Sequence, residues 1–223
     1  MKRDLIGKAV VKFASAFALS ALLLFIPAGT VHYPNGHLFL ALLFIPMAIT
    51  GIVLLLKNPT LLERRLASKE EQKEQKAVTW LGNVVFLLGF VSAGLDFRFQ
   101  WIGVPSWVVW TASCFFLAGY VLWAEVLREN EYLSRTVQVE SSQTLIDSGV
   151  YSIVRHPMYS ASIIIFLAMP LVLGSLISFA IFLCYPLLMV KRIAGEEEVL
   201  RRELAGYQEY TERVRYRLIP FVW

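Results

Sequence analysis

The sequence predicts an all-α fold, a polytopic membrane helical bundle, and three observations predict it. Of its 223 residues, 57% are hydrophobic and 17% charged, a balance too apolar for an ordinary soluble domain. The apolar residues gather into long runs rather than the short alternating segments of a closed β-barrel. Lys and Arg fall unevenly between those runs, which assigns the two sides of a membrane. The reading is four spans, a C-terminal in-membrane helical hairpin and a cytoplasmic amphipathic helix.

A spanning helix needs about 20 mainly apolar residues. Val10 to Thr30, His37 to Leu56, Ala77 to Leu95 and Ser106 to Ala124 meet that length. The basic flank Lys2, Arg3, Lys8 and Lys12 has the character of a secretory signal, but the run behind it outlasts a signal core of about 7–15 residues and reads as a retained first span. The N-terminus and the loop Lys57 to Lys76 are basic, whereas the links Val31 to Gly36 and Asp96 to Pro105 hold Arg98 and no Lys. The N-terminus is therefore cytoplasmic, and the segment Glu125 to His156 lies on that side after four crossings.

The tail after Lys191 is strongly basic and belongs on the same side, so Tyr159 to Val190 must enter and return. Gly174-Ser175 divides this run into arms of about 15 residues, short for a full span, which fits a tight hairpin within the bilayer. Pro170 and Pro186 are expected to kink its arms. The loop Lys57 to Lys76 mixes Glu63, Glu70, Glu71 and Glu74 with its bases and reads as a solvated helical connection. Arg135 to Val139 hints at an extended segment, and Asp147-Ser148-Gly149 at a turn.

No internal repeat or low-complexity linker divides the chain. Residues 1–223 are read as a single membrane domain, with 1–76 as peripheral N-terminal spans and loop and 77–223 as the core. Cys114 and Cys184 lie in apolar runs, as small buried hydrophobes rather than disulfide partners or ligands. No metal site is evident, since His32 and His37 sit at the face opposite His156. The net charge of +4 is carried mainly on cytoplasmic segments and requires no nucleic-acid partner.

Two polar segments carry the chemistry. In Arg155-His156-Pro157, the proline keeps His156 extended and suits the first position of the following helix. Arg155 and His156 then stand just ahead of a helix N-terminus, where free N–H groups favour an anion such as a carboxylate or phosphate; a positive anchor at the membrane interface is the plainer reading. On a wheel of 3.6 residues per turn, Ile193, Leu200, Leu204 and Tyr207 share one face with Glu196 and Glu197, while Glu198 points away toward Arg202. Carboxylates on an apolar face need a cation. That cation is either a protein group, Arg155 or Arg192, or the ammonium of a ligand with an amino-acid head group. Tyr151 and Tyr159 offer aromatic faces to a cation or a planar base.

The run Gly149-Val-Tyr-Ser-Ile-Val-Arg-His-Pro-Met-Tyr159, the short apolar hairpin, Glu196-Glu197, Gly206-Tyr207-Gln208-Glu209-Tyr210 and Val214-Arg-Tyr-Arg-Leu-Ile-Pro220 together resemble the isoprenylcysteine carboxyl methyltransferase and phospholipid methyltransferase group of integral membrane enzymes. A weaker echo lies in Gly94 to Trp101 and in Glu129-Asn130. The resemblance covers about the last hundred residues. It implies S-adenosylmethionine as cofactor, held at the cytoplasmic membrane face by His156, Pro157 and Tyr159, with Glu196 and Glu197 at the methionine amine or the reaction centre. Three consecutive glutamates and the tighter Gly206-Tyr207 spacing depart from the group's pattern, and the wheel selects Glu196 and Glu197.

The acceptor is expected to be a lipophilic small molecule, a lipid or a lipidated substrate drawn from the membrane lipids. A carboxylate acceptor needs no general base; for an amine or thiol, Glu196 or Glu197 is nearest. Arg155, Arg201 or Arg202 would orient an anionic acceptor. Two rivals differ in class. The ending Arg217-Leu-Ile-Pro-Phe-Val-Trp223 resembles NADPH-dependent steroid-reductase-like membrane proteins, against which the intact Arg-His-Pro-x-Tyr and glutamate pair argue. A non-catalytic transporter would need polar residues along a path, where Asn83 and a few Ser and Thr are all the spans offer.

Overall fold

The computed structural model describes residues 2–66, 73–133, 139 and 143–223, and every regular element among them is helical. The order is α1 (Lys2–Ala28), α2 (Pro34–Lys57), α3 (Pro59–Leu66), α4 (Lys73–Phe99), α5 (Ser106–Glu129), a short 3-10 turn (Gly149–Ser152), α6 (Pro157–Val172), α7 (Leu176–Phe182), α8 (Cys184–Glu203) and α9 (Tyr207–Arg213). Helices α2, α4 and α5 contain their expected spans, and α1 covers the first, Val10 to Thr30, as far as Ala28. A fifth apolar stretch, Leu176–Glu203, is also long enough to cross a membrane. The chain is thus an integral, multi-pass membrane protein.

The hairpin turns where expected. Gly174 takes φ +77°, a left-handed conformation that favours glycine, and Ser175 caps α7 by accepting from the Ser178 N–H. Its arms are unequal: α6 has 16 residues, while Leu176–Glu203 has 28. The return is interrupted at Leu183, between α7 and α8. Pro186 has no N–H for the carbonyl four residues back, and its ring crowds that carbonyl. The expected separate amphipathic helix near Arg192 is instead the continuation of the return arm, so α8 carries Glu196 and Glu197 on the same rod as the apolar residues.

Packing uses close approaches. A Cβ on Gly89 would lie 2.2 Å from the Phe182 ring, and one on Gly94 would lie 2.6 Å from the Leu24 carbonyl oxygen, so α4 meets both α7 and α1 backbone-close. Leu24, Phe39, Phe90, Phe116, Met169 and Phe182 form the core between them. Leu19, Ile49, Leu87 and Val121 face outward, as side chains turned to lipid do. Cys114 and Cys184 also face outward, which corrects their expected burial: an apolar thiol facing hydrocarbon has no water to escape. Within Lys57 to Lys76, α3 supplies the helical connection. The expected extended segment at 135–139 lies outside the described residues except for Val139, and Asp147-Ser148-Gly149 leads into the 3-10 turn.

Candidate functional site

Pro157 occupies the first turn of α6 as the Arg-His-Pro order predicts, and His156 caps it with φ −126° and ψ 60°, non-helical but short of the extended geometry expected. The backbone N–H groups of Arg155 and His156 donate to the Tyr216 and Arg217 carbonyls, each at 2.9 Å. These two bonds lay the C-terminal segment beside the start of α6 and deliver Arg217.

Glu197 is 2% exposed. It accepts from Arg155 Nε at 2.8 Å, Arg217 Nε at 3.1 Å and Arg201 Nη2 at 3.4 Å, with His156 Nε2 at 3.3 Å. Arg155, 7% exposed, also donates through Nη1 to the Val214 and Arg215 carbonyls. A buried guanidinium stripped of water needs such partners. The protein-cation reading therefore holds for Glu197: three guanidinium groups meet one carboxylate.

Glu196 follows a different direction, about 100° around the helix. Its Oε2 accepts from the Tyr159 hydroxyl at 2.5 Å, and that hydroxyl accepts from Arg192 Nε at 3.1 Å. Glu196, Tyr159 and Arg192 line a cleft open to solvent, with about 860 Å³ of empty space including its mouth. Tyr151, Arg155, His156 and Pro157 line it too. Glu197 stands behind that wall in the guanidinium network, and Glu198 is exposed.

Two features were named in the sequence without a role in the site. The first is Tyr207, 3% exposed, which borders the cleft and whose hydroxyl has no hydrogen-bond partner among the described residues. Burial, then the negative charges of Glu197 and Glu196, push this phenol well above its ordinary range, so it remains a donor. Tyr207 does not share the face of α8 by helical continuation. The helix ends at Glu203, Gly206 takes φ +78°, and α9 turns Tyr207 back to the buried side.

The second feature is the opposite wall. Asn130 Nδ2 donates to the Tyr151 hydroxyl at 2.9 Å, and Tyr210 donates to the Tyr151 carbonyl at 2.7 Å. The Glu129 carboxylate accepts the Val150 N–H at 3.0 Å. Gly149, at φ +51°, lies so close that a Cβ would sit 1.5 Å from Glu129 Oε1. Glu129-Asn130 had only an echo of the family pattern to mark it, and Arg217 stood in the C-terminal motif with no role assigned to it.

Residues 111–202 match the model of the isoprenylcysteine carboxyl methyltransferase (ICMT) family. The match covers less than half of the chain, and the similarity to that family's model is confined to this segment. The fold is similar to that of the eukaryotic intramembrane Ras methyltransferase ICMT, with a TM-score of 0.59 and 21% identity, covering 96% of this chain and 77% of that one. A different similarity links it to the Delta(14)-sterol reductase TM7SF2 of Mus musculus, 35% identical over 91 residues, which is 40% of this chain and 22% of the reductase. The chain thus spans about a fifth of that relative's length.

Proposed function

We propose that this chain is an S-adenosylmethionine-dependent methyltransferase acting on a lipophilic acceptor at the cytoplasmic face of its membrane. The observation that carries the reading is the division of labour between two adjacent glutamates. Glu197 is neutralised by protein cations, whereas Glu196 faces the cleft, where a ligand ammonium would find it. The unpartnered Tyr207 hydroxyl supports the same ligand, since an amino-acid carboxylate or a sugar hydroxyl would supply its missing acceptor. The cytoplasmic assignment rests on the Lys and Arg asymmetry of the loops.

When bound, S-adenosylmethionine would supply a methyl group already activated on a sulfonium, for in-line displacement by the acceptor. The chain's own contribution is then alignment and exclusion of water. Glu196 would hold the ammonium, with Tyr159 and Arg192 fixing its direction. Tyr207 would donate to the ligand, and the rings of Tyr151 and Tyr159 would flank it. Arg155 acts through Glu197 as a positioning residue. For a carboxylate acceptor no proton leaves; for an amine or thiol, Glu196 is the nearest base.

The similarity to a sterol reductase keeps one alternative in view, a reductase using NADPH. Calorimetric titration of the detergent-purified protein separates the two. The expected result is binding of S-adenosylhomocysteine at roughly micromolar Kd, with no heat from NADPH. Binding of NADPH alone would overturn the methyltransferase reading.

A further inference from the structure

We propose that Trp223 is a positioning residue for the cleft: its ring holds the Arg217 guanidinium against Glu197, and through Glu197 it sets Arg155 and His156 in the cleft wall. The inference rests on the methyltransferase reading, since the ligand that reports on the wall is the one proposed above. Trp223 itself lies outside the segment 111–202 that matches the family model.

The residues after α9 fold back on themselves. The Val222 and Trp223 N–H groups donate to the Ile219 carbonyl at 3.1 and 3.2 Å, and the Trp223 backbone oxygen accepts from the Arg217, Leu218 and Ile219 N–H groups at 3.0, 3.0 and 3.1 Å. Inside this loop Pro220 has no N–H to place, and Phe221 takes φ +66°, a left-handed conformation that a bulky residue holds only where its surroundings impose it. Trp223 thus closes the loop through both of its backbone groups. The closure brings its ring to Arg217: the guanidinium carbon lies 5.1 Å from the ring centroid, within the range of a cation–π contact.

The ring is anchored in turn, because Trp223 packs against the cluster of Tyr159, Tyr185, Met189, Ile193 and Leu218. The Arg217 side chain is one-third exposed, at 33%, and a long side chain at that exposure has rotamer freedom to lose. Among the described residues its guanidinium meets Glu197 through Nε at 3.1 Å and the Trp223 ring. Glu197 also holds Arg155 Nε at 2.8 Å and stands 3.3 Å from His156 Nε2. Arg155 and His156 line the cleft, and the His156 ring lies 5.8 Å from that of Tyr159, which donates to Glu196. An Arg217 that swung away would leave Glu197 a partner short at the back of this wall. A planar ring suits the task, since a guanidinium stacks on it and keeps its N–H donors free; an aliphatic side chain would bury apolar surface and leave the cation unfixed.

The test is calorimetric titration of the full chain in detergent with S-adenosylhomocysteine, in a cycle of Trp223→Leu, Arg217→Met and the double variant, with Trp223→Phe beside it. Trp223→Leu is expected to weaken binding about fivefold, the worth of a partly exposed cation–π contact. Trp223→Phe keeps a ring and should bind within about twofold of wild type. Arg217→Met should weaken binding about tenfold, and the double variant no further, because both substitutions cut the same link. The proposal is overturned if Trp223→Leu binds like wild type, if Trp223→Phe binds as weakly as Trp223→Leu, or if the two losses add in the double variant. Trp223→Met, longer and more adaptable, replaces Trp223→Leu if that variant does not fold; if neither folds, Trp223 serves the fold and the proposal falls. If the chain binds NADPH and no S-adenosylhomocysteine, the methyltransferase reading falls and the cycle is read in the NADPH Kd, where the same pattern upholds Trp223. Binding of neither ligand overturns both.

Discussion

Two carboxylates are buried at opposite ends of the C-terminal hairpin, Glu197 beside the cleft and Asp96 against the Gly174-Ser175 turn, and they are held in opposite ways. Asp96, 3% exposed, accepts from the Ser175 hydroxyl at 2.6 Å and the Ile102 N–H at 3.1 Å. Glu197, 2% exposed, gathers three guanidinium groups and an imidazole from the start of α6, from α8 and from the C-terminal segment. Burial alone does not separate them. The partners do: neutral donors close the turn and pin α7 to the end of α4, while the cation network leaves positive charge over, next to open space. A buried acid that serves only the fold can be satisfied by neutral donors, whereas one that organises a site gathers several cations.

Replacing Glu197 is the hardest test of this contrast. Glu197→Ala leaves Arg155 buried without its counter-charge, and a broken buried pair costs about 3–5 kcal/mol. Thermal unfolding in detergent should show that loss, together with loss of S-adenosylhomocysteine binding. Asp96→Ala should cost less, about 1–3 kcal/mol for the stranded Ser175 hydroxyl and Ile102 N–H, and should leave the S-adenosylhomocysteine Kd unchanged. An Asp96 variant that lost ligand binding at ordinary stability would erase the distinction between the two ends.

Glu196→Gln sharpens the contrast within the site. The side chain keeps its size, the Tyr159 hydroxyl keeps an acceptor, and the buried network is untouched, so unfolding should shift by less than about 1 kcal/mol. The lost charge should appear in binding, as a roughly tenfold weaker Kd for S-adenosylhomocysteine. A stability loss as large as that of Glu197→Ala would mean that both glutamates serve the fold.

The legible parts of the molecule were those with local causes. Four spans followed from apolar runs, the hairpin tip from Gly174-Ser175, and the cap at His156 from the proline after it. The wheel separated Glu198 from its two neighbours. It could not separate Glu196 from Glu197, because that choice depends on Arg217, 20 residues on in a segment held by backbone bonds to Arg155 and His156. Asp96 meets Ser175 across 79 residues, a pairing that no spacing rule anticipates. The reach of α3 to Met158, whose Sδ stands 3.6 Å from Arg65 Nη1, is equally nonlocal, and it draws a segment read as peripheral against the cleft. Cys114 and Cys184 were misread for a different reason: the burial rule for thiols assumes water outside, and these side chains face lipid.

Tyr207→Phe has the smallest expected effect and discriminates most finely, because its two readouts should move in opposite directions. A buried hydroxyl without an acceptor costs free energy in the folded state, so removing it should leave unfolding unchanged or raise stability by up to about 1 kcal/mol. If a ligand in the cleft supplies the missing acceptor, the same change should weaken S-adenosylhomocysteine about three- to tenfold, the worth of one hydrogen bond. A merely structural tyrosine would lose stability and leave the Kd alone. Glu197 should lose both properties, Asp96 only stability and Tyr207 only affinity, which would separate the scaffold, the network and the ligand-facing surface by three single substitutions.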